Sequence, residues 1–305
     1  MTANISLPEM MEQFGTDEKC RALLETLRWP DGVECPRCQG KKVYRLQAWK
    51  RFECAACGNQ FTLTAGTVLN DSHLSLAKWF LATYIICQSK KGVSALQLKR
   101  MLGVSYKTAW YLCHRIREAM TQANRAAEKL GGTVEVDDTF IGGKAERGRP
   151  IPEKVNVVGM VERDGRLRLQ VVDDLSVASL KVAARKNIGN IDLIITDEWA
   201  AYVGAIGLEY KRRYKRIRHK ATYVRHDAIH GKIHTNTIEG VFSLLKRGII
   251  GSWHHVSVKH LQRYLDEISF RYSERENPRL FALTLSQLIE TKPMTFKALT
   301  ADDAA

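Results

Sequence analysis

Nowhere does the sequence carry an uninterrupted apolar run of about 18 residues, the length a membrane-crossing helix needs. Its first residues, MTANISLPEMMEQFG, also lack the basic stretch and apolar core of an export signal. These absences predict a cytosolic chain with no membrane partner. An even cysteine count is missing too: seven Cys without an export signal argue against a disulfide framework, and for thiolate ligands plus buried thiols. No His or Asn constellation marks any of the thiols as a nucleophile, so Cys20, Cys87 and Cys113 are expected in the core. Acidic residues are in deficit, with 33 Asp+Glu against 47 Lys+Arg and a net charge of +14. Such a field attracts polyanions and releases their counterions, which puts nucleic acid ahead of an anionic membrane or a ribosomal surface. An apolar content of 45% excludes a disordered chain.

What is present begins with cysteine spacing. Cys35 and Cys38 (CPRC) are followed, fifteen residues on, by Cys54 and Cys57 (CAAC). Each C-x2-C makes a tight knuckle, with Gly40 and Gly58 close behind, and two knuckles present four thiolates to one zinc ion. The intervening KKVYRLQAWKRFE is strand material, as in a zinc ribbon. A closed four-thiolate shell leaves no position for substrate, so one structural Zn2+ is expected. Upstream, TDEKCRALLETLRWPDG reads as a helix capped at Thr16 and stopped at Trp29-Pro30.

Residues 75 to 120 turn to helical periodicity. SALQLKRMLGVSYKTAWYLCHRIREAM places Ala95, Leu98 and Leu102 on one face, Gly103-Val104 at a turn, and Ala109, Leu112 and Ile116 on the next helix. Ser94 and Ser105 sit where N-caps belong. The second helix opens on Tyr106, Lys107 and Thr108 and continues to His114, Arg115 and Arg117. A plain helical hairpin for packing has the same periodicity, but a helix-turn-helix with a basic second helix fits a DNA groove, early residues near base edges and later cations on phosphates.

After Gly131-Gly132 come three strand-like runs, TVEVDDTFIGG, KVNVVGMVER and LRLQVVDD, joined by turns such as RDGR. A helix with a Ser cap and a Gly stop (SVASLKVAARKNIG), a buried strand (IDLIITD) and a second helix (EWAAYVGAIG) follow. This order suits a ribonuclease H-like mixed-sheet α/β domain. Asp137 lies in the first run, and alternation turns its neighbour Asp138 to the other face. Asp197 ends the buried strand, where α/β sheets place functional groups. Each aspartate alone reads as structural. A third acid, Glu239, sits in NTIEGVFSLLKRGIIGSWHH on a polar stripe with Asn236, Ser243 and Lys246, opposite a packed side of Ile238, Val241, Phe242, Leu245 and Ile249. Two strand-borne Asp and one helix-borne Glu can hold two divalent ions, Mg2+ or Mn2+, about 3.5 to 4 Å apart, an arrangement suited to phosphoryl transfer. Lys246 lies about 10 Å further along the helix axis, within reach of a neighbouring phosphate. Between Asp197 and Glu239, residues 209 to 234 carry nine Lys/Arg against two acids. Arg212, Arg213, Lys215, Arg216 and Arg218 are expected to form a phosphate track, although a solvated basic loop has the same composition. His226, His230, His234 and the His254-His255 pair add phosphate contacts or packing rather than a metal site.

These stretches together resemble the DDE transposases of bacterial insertion sequences, in the ISXO-like group, which join a zinc ribbon to a ribonuclease H-like catalytic domain. The resemblance rests on LRWPDGVECPRC, CAACGNQF, VEVDDTFIGGK, TDEWAAY and HTNTIEGVFSLLKRGIIGSWHHVSVKHLQRYLDEISFRY, spread over most of residues 14 to 275. It implies that Asp137, Asp197 and Glu239 are a catalytic triad, with Lys246 the basic residue that follows the acid. It also implies binding to terminal inverted repeats, double-stranded DNA as element end and target, a homo-oligomeric synaptic complex and a nucleoid-associated protein. Where the family has Asp-Glu in its first motif this chain has Asp137-Asp138, and position assigns the ligand to Asp137. Two other readings stay open: a non-catalytic DNA-binding regulator, and a metal-dependent nuclease or resolvase. The expected layout is residues 1–70 for the first helix and zinc ribbon, 71–130 for the helix-turn-helix, 131–290 for the catalytic domain and 291–305 as a tail.

Overall fold

A computed structural model describes residues 5–142, 154–218 and 224–301. The chain divides into two compact units, one made of residues 1–123 with 276–305, the other of 124–275. The C-terminal helix Leu280–Glu290, expected in the catalytic domain, thus groups with the N-terminal helices.

In the first unit, helices α1 (Leu7–Phe14) and α2 (Asp17–Arg28) are capped by Ser6 and Thr16. A three-stranded antiparallel sheet follows, β1 (Val43–Leu46), β2 (Arg51–Cys54) and β3 (Gln60–Thr62). Its small core is aromatic: Trp29 meets Phe52 edge-on at 5.4 Å, and Phe52 stacks on Phe61 at 5.5 Å. Helices α3 (Leu76–Gln88), α4 (Ala95–Leu102) and α5 (Tyr106–Ala126) complete the run. Ser94 caps α4, and Gly103 ends it at φ +60°, a left-handed conformation glycine adopts without strain. The Ser105 hydroxyl accepts from Thr108 N at 3.1 Å, capping α5. The two capped helices and the glycine turn read from the sequence are therefore present.

The second unit is a five-stranded mixed sheet with helices on both faces. Its strands are β4 (Leu130–Ile141), β5 (Val155–Glu162), β6 (Leu167–Val172), β7 (Ile188–Thr196) and β8 (Tyr214–Arg216), in the order β6-β5-β4-β7-β8. The first three form an antiparallel meander, and β7 and β8 run parallel to β4. This is the ribonuclease H-like arrangement. Helix α6 (Val177–Asn187) is capped by Ser176 but ends at Ile188 rather than at the expected glycine, because the chain passes straight into β7. Short helices α7 (Ala200–Tyr202) and α8 (Leu208–Tyr210) flank a π turn, β9 (Arg225–Asp227) and β10 (Gly231–Ile233) make a separate hairpin, and α9 (Asn236–Gly248) and α10 (Val258–Ser273) close the unit. The edge strand β8 was not foreseen; it lies inside the basic stretch, where charge hides the strand pattern.

Alternation along the strands splits the core in two. Val134, Val136, Val158 and Met160 pack with Leu180, Ala183 and Tyr202 on one face. On the other, Val157, Val161 and Leu169 meet Ile238, Val241, Phe242 and Leu245 of α9 and Leu261, Leu265 and Ile268 of α10. The four buried α9 side chains are worth about 1.5–3 kcal/mol each, enough to seat that helix firmly on the sheet.

Candidate active site

Glu135 pairs with Ile195 in the parallel β4–β7 ladder. Two residues past that pair, Asp137 lies within β4 and Asp197 just beyond the end of β7, near enough for their carboxylates to repel. Both are half-buried. Glu239 approaches from α9, also half-buried, with its Oε1 accepting from the Thr235 hydroxyl at 3.1 Å. The approach depends on Gly159, the residue paired with Asp137 across β4–β5. A Cβ there would lie 2.7 Å from Ile238 Cδ1 and 2.8 Å from Phe242 Cε1, so α9 occupies the space a side chain would take.

Burial pushes the Asp137 carboxyl up to about 7, aided by repulsion from Asp138, Asp197 and Glu239 and opposed by the Asp138 N–H that donates to it. The three sequence-read acids are thus electrostatically coupled, although their oxygens form an open set. Among the described residues, the four ribbon cysteines are the only group of three or more candidate ligands whose atoms all lie within 4.8 Å. Half-buried carboxylate oxygens brought together in this way are the donor chemistry that suits a hard divalent cation, and the carboxylates fit Mg2+ or Mn2+ on that ground.

Asp138 turns to the opposite face, as alternation required. Its Oδ1 accepts from the buried Tyr202 phenol at 2.8 Å. Burial raises the Asp138 carboxyl, aided by repulsion from Asp197 and opposed only in part by the Tyr202 hydrogen bond and the nearby Lys154. Asp197 Oδ1 accepts from Trp199 N at 3.0 Å, which shapes the turn after β7. Lys246 is exposed on α9, its Nζ 5.8 Å from the centre of the Phe140 ring, which Lys154 covers at 3.9 Å.

At the ribbon, Cys35 Sγ lies 3.8 Å from Cys57 Sγ, and Cys38 Sγ 3.5 Å from Cys54 Sγ. Four thiolates about 2.3 Å from one zinc ion are spaced in this way. Left-handed residues follow each second cysteine, Gln39 at φ 60° and Gly58 at φ 64°. Gly40 serves differently from the turn expected of it: a Cβ there would press on Cys54 Sγ at 3.3 Å and Cys38 Sγ at 3.4 Å. Cys20, Cys87 and Cys113 are buried, and burial pushes the Cys20 thiol up to about 12.

Several residues expected on DNA are placed elsewhere. Arg115 is 4% exposed; its Nη2 donates to Asn70 O at 2.5 Å, its Nε to Val68 O, and the guanidinium stacks over Trp79 at 4.9 Å. It is a buried structural arginine, and His114 and Arg117 are buried with it. From Leu112 to Arg117 α5 is buried around its whole circumference, so positions 114, 115 and 117 face protein, while Tyr106 and Lys107 at its start remain exposed and Thr108 is half-buried. In the basic stretch, Arg213 donates to Ile191 O at 2.8 Å, Lys215 pairs with Asp227 at 3.0 Å and Arg218 with Glu198 at 3.1 Å. Arg212 and Arg216 are exposed without an ion pair among the described residues. His226 and His230 lie on the β9–β10 hairpin, with the Asp227 carboxylate accepting from Ile229 N and His230 N at its turn. Lys220 falls outside the described residues.

Sequence reading missed Glu135, which is fully buried between β4 and the start of α9. A signal existed: Glu135 shares the face of Asp137, two residues away.

Residues 129–273 match the ISXO2-like transposase domain, and residues 15–60 the transposase zinc-ribbon domain. A relative described as an uncharacterized protein in transposable element ISH50 of Halobacterium salinarum (strain ATCC 700922 / JCM 11081 / NRC-1) is 26% identical over 291 residues, covering 90% of this chain and 96% of the relative. Among solved structures, the Mos1 transposase paired-end complex with left transposon end aligns with 10% identity over 68% of this chain and 78% of that one, at a TM-score of 0.27. The Mos1 mariner paired end complex with Mn aligns with 9% identity over 69% and 75%, at a TM-score of 0.28. At such scores it is the strand order, not the superposition, that identifies the fold.

Proposed function

We propose, from the chain's membership of the ISXO2-like DDE transposase family, that it binds the terminal inverted repeats of an insertion sequence, cleaves the element ends and joins their 3′-hydroxyls to target DNA. The observation that carries this reading is the gathering of Asp137 on β4, Asp197 just past β7 and Glu239 on α9, the helix packed over Gly159, near enough for Asp197 and Glu239 to raise the Asp137 carboxyl. Asp137, Asp197 and Glu239 are the residues that would hold two Mg2+ or Mn2+ ions. Bound there, such ions would lower the pKa of an attacking hydroxyl and stabilise the departing oxygen.

The protein's own groups do the rest. The burial that raises Asp137, together with repulsion from Asp138, Asp197 and Glu239, makes the site a strong cation sink once its proton leaves. In the first step water attacks the phosphodiester at the element end, the P–O3′ bond breaks, and a 3′-hydroxyl is released opposite a 5′-phosphate. In the second that hydroxyl attacks a target phosphodiester in line, and a target 3′-oxygen departs. Lys246 extends from the same helix as Glu239 and steadies a neighbouring phosphate. Arg212 and Arg216 contact the DNA backbone, and Tyr106, Lys107 and Thr108 at the start of α5 meet base edges. Zinc on Cys35, Cys38, Cys54 and Cys57 holds the ribbon. Synapsis of two ends calls for a homo-oligomer.

The test uses labelled element-end DNA, a target plasmid and Mg2+ or Mn2+. Joined products are expected from the native chain and none from Asp137→Ala, Asp197→Ala or Glu239→Ala, each retaining end binding. Cleavage without joining would favour a nuclease, binding without cleavage a regulator.

A further inference from the structure

Thr235 stands at the N-cap of α9, yet its side chain does not cap the helix; the hydroxyl donates to Glu239 instead. The cap comes from another strand. Glu135 Oε2 accepts from Thr237 N at 2.9 Å and Ile238 N at 3.2 Å, two of the amides that open α9. Oε1 accepts from the Thr237 hydroxyl at 3.0 Å and from Arg163 Nε at 2.8 Å. His234 Nδ1 lies 3.2 Å from the same oxygen without hydrogen-bond alignment. Arg163 in turn donates to Lys232 O at 2.7 Å and His234 O at 3.2 Å, which ties down the chain entering α9.

A fully buried carboxylate is tolerated only when paired and hydrogen-bonded, and here every partner but Arg163 lies on, or just before, the helix that carries Glu239. The strand that bears Asp137 therefore caps the helix that bears Glu239. Negative charge at a helix N-terminus is favourable, but a remote carboxylate also sets distance: β4 cannot shift relative to α9 without breaking these bonds.

We propose that Glu135 is a positioning residue that fixes the spacing between Asp137 and Glu239 and so sets the divalent-metal affinity of the site. This rests on the assignment of those two residues as metal ligands. Residues behind a metal's ligands commonly change affinity by about 10–100-fold when removed.

The experiment titrates Mn2+ into the zinc-loaded full chain by electron paramagnetic resonance, with circular dichroism and zinc content checking the fold. Glu135→Ala is expected to raise the Mn2+ Kd by about 10–100-fold. Glu135→Gln, which keeps an acceptor for the two amides but loses the Arg163 ion pair, is expected to fall in between, several-fold weaker than native. Metal-free binding of element-end DNA should change less than twofold in both. A Kd within twofold of native in either folded variant overturns the proposal, and Glu135→Gln decides it if Glu135→Ala does not fold. Asp137→Ala separates the two failures. If it abolishes Mn2+ binding while the Glu135 variants bind normally, the positioning role fails alone; if it too binds Mn2+ normally, the ligand assignment fails and the proposal with it.

Discussion

Gly159 faces Asp137 across the β4–β5 ladder, and α9 fills the place of its missing side chain. Glycine is required there by close approach rather than by backbone conformation, since Ile238 and Phe242 sit within 2.8 Å of where a Cβ would be. Gly159→Ala is expected to lift α9 and destabilise the protein by about 1–3 kcal/mol, the usual range for overpacking. Urea unfolding measures this, and Mn2+ affinity should fall in parallel as Glu239 moves away from Asp137.

The raised Asp137 carboxyl makes a pH prediction. Folded, the group keeps its proton up to about pH 7, whereas an unfolded aspartate loses it near pH 4. Over that interval the native state binds more protons, so the stability of metal-free protein should decline as pH rises from about 4 to 7. Asp137→Asn should remove this part of the slope. Metal binding, which displaces the proton, should strengthen over the same interval. Melting temperature against pH, with and without Mg2+, checks both signs.

Removing zinc should unfold the ribbon, whose aromatic core of Trp29, Phe52 and Phe61 is small. Structural zinc in such units contributes on the order of 10 kcal/mol. Cys35→Ser is therefore expected to lose zinc and the Trp29 fluorescence signature of the folded ribbon. Metal analysis that finds no zinc in well-folded native protein would contradict this.

The arginines divide into two kinds. Arg115→Ala leaves two buried carbonyls, Val68 O and Asn70 O, without their donor, and should destabilise the protein by about 3 kcal/mol, since hydrogen bonds to charged groups are worth about 1.5–3 kcal/mol. Arg216→Ala should leave stability unchanged and reduce the salt dependence of DNA binding by about one phosphate contact. Anisotropy titrations across a salt series distinguish them.

Much of this was legible in order along the chain. The zinc quartet is a matter of local spacing, the helix-turn-helix of serine caps and Gly103, and the meander of alternation that also separates Asp137 from Asp138. Arg115 reads locally as a surface cation, but α5 is enclosed on all sides from Leu112 to Arg117, and the charge of Arg115 is met by backbone carbonyls 45 and 47 residues away. The basic stretch concealed β8, whose pairing with β7 is a long-range choice no local pattern announces.

Sequence alone determined the candidate ligands, because cysteine spacing, strand alternation and an amphipathic helix are properties of neighbouring residues. Only the tertiary structure decided how the acids are held. The cap that Glu135 places on α9 links residues 102 and 103 apart, and Gly159 is significant only because a distant helix lands on it. Contacts of that range arise from packing whole elements together, where the exclusion of volume and the pairing of buried polar groups are settled at once.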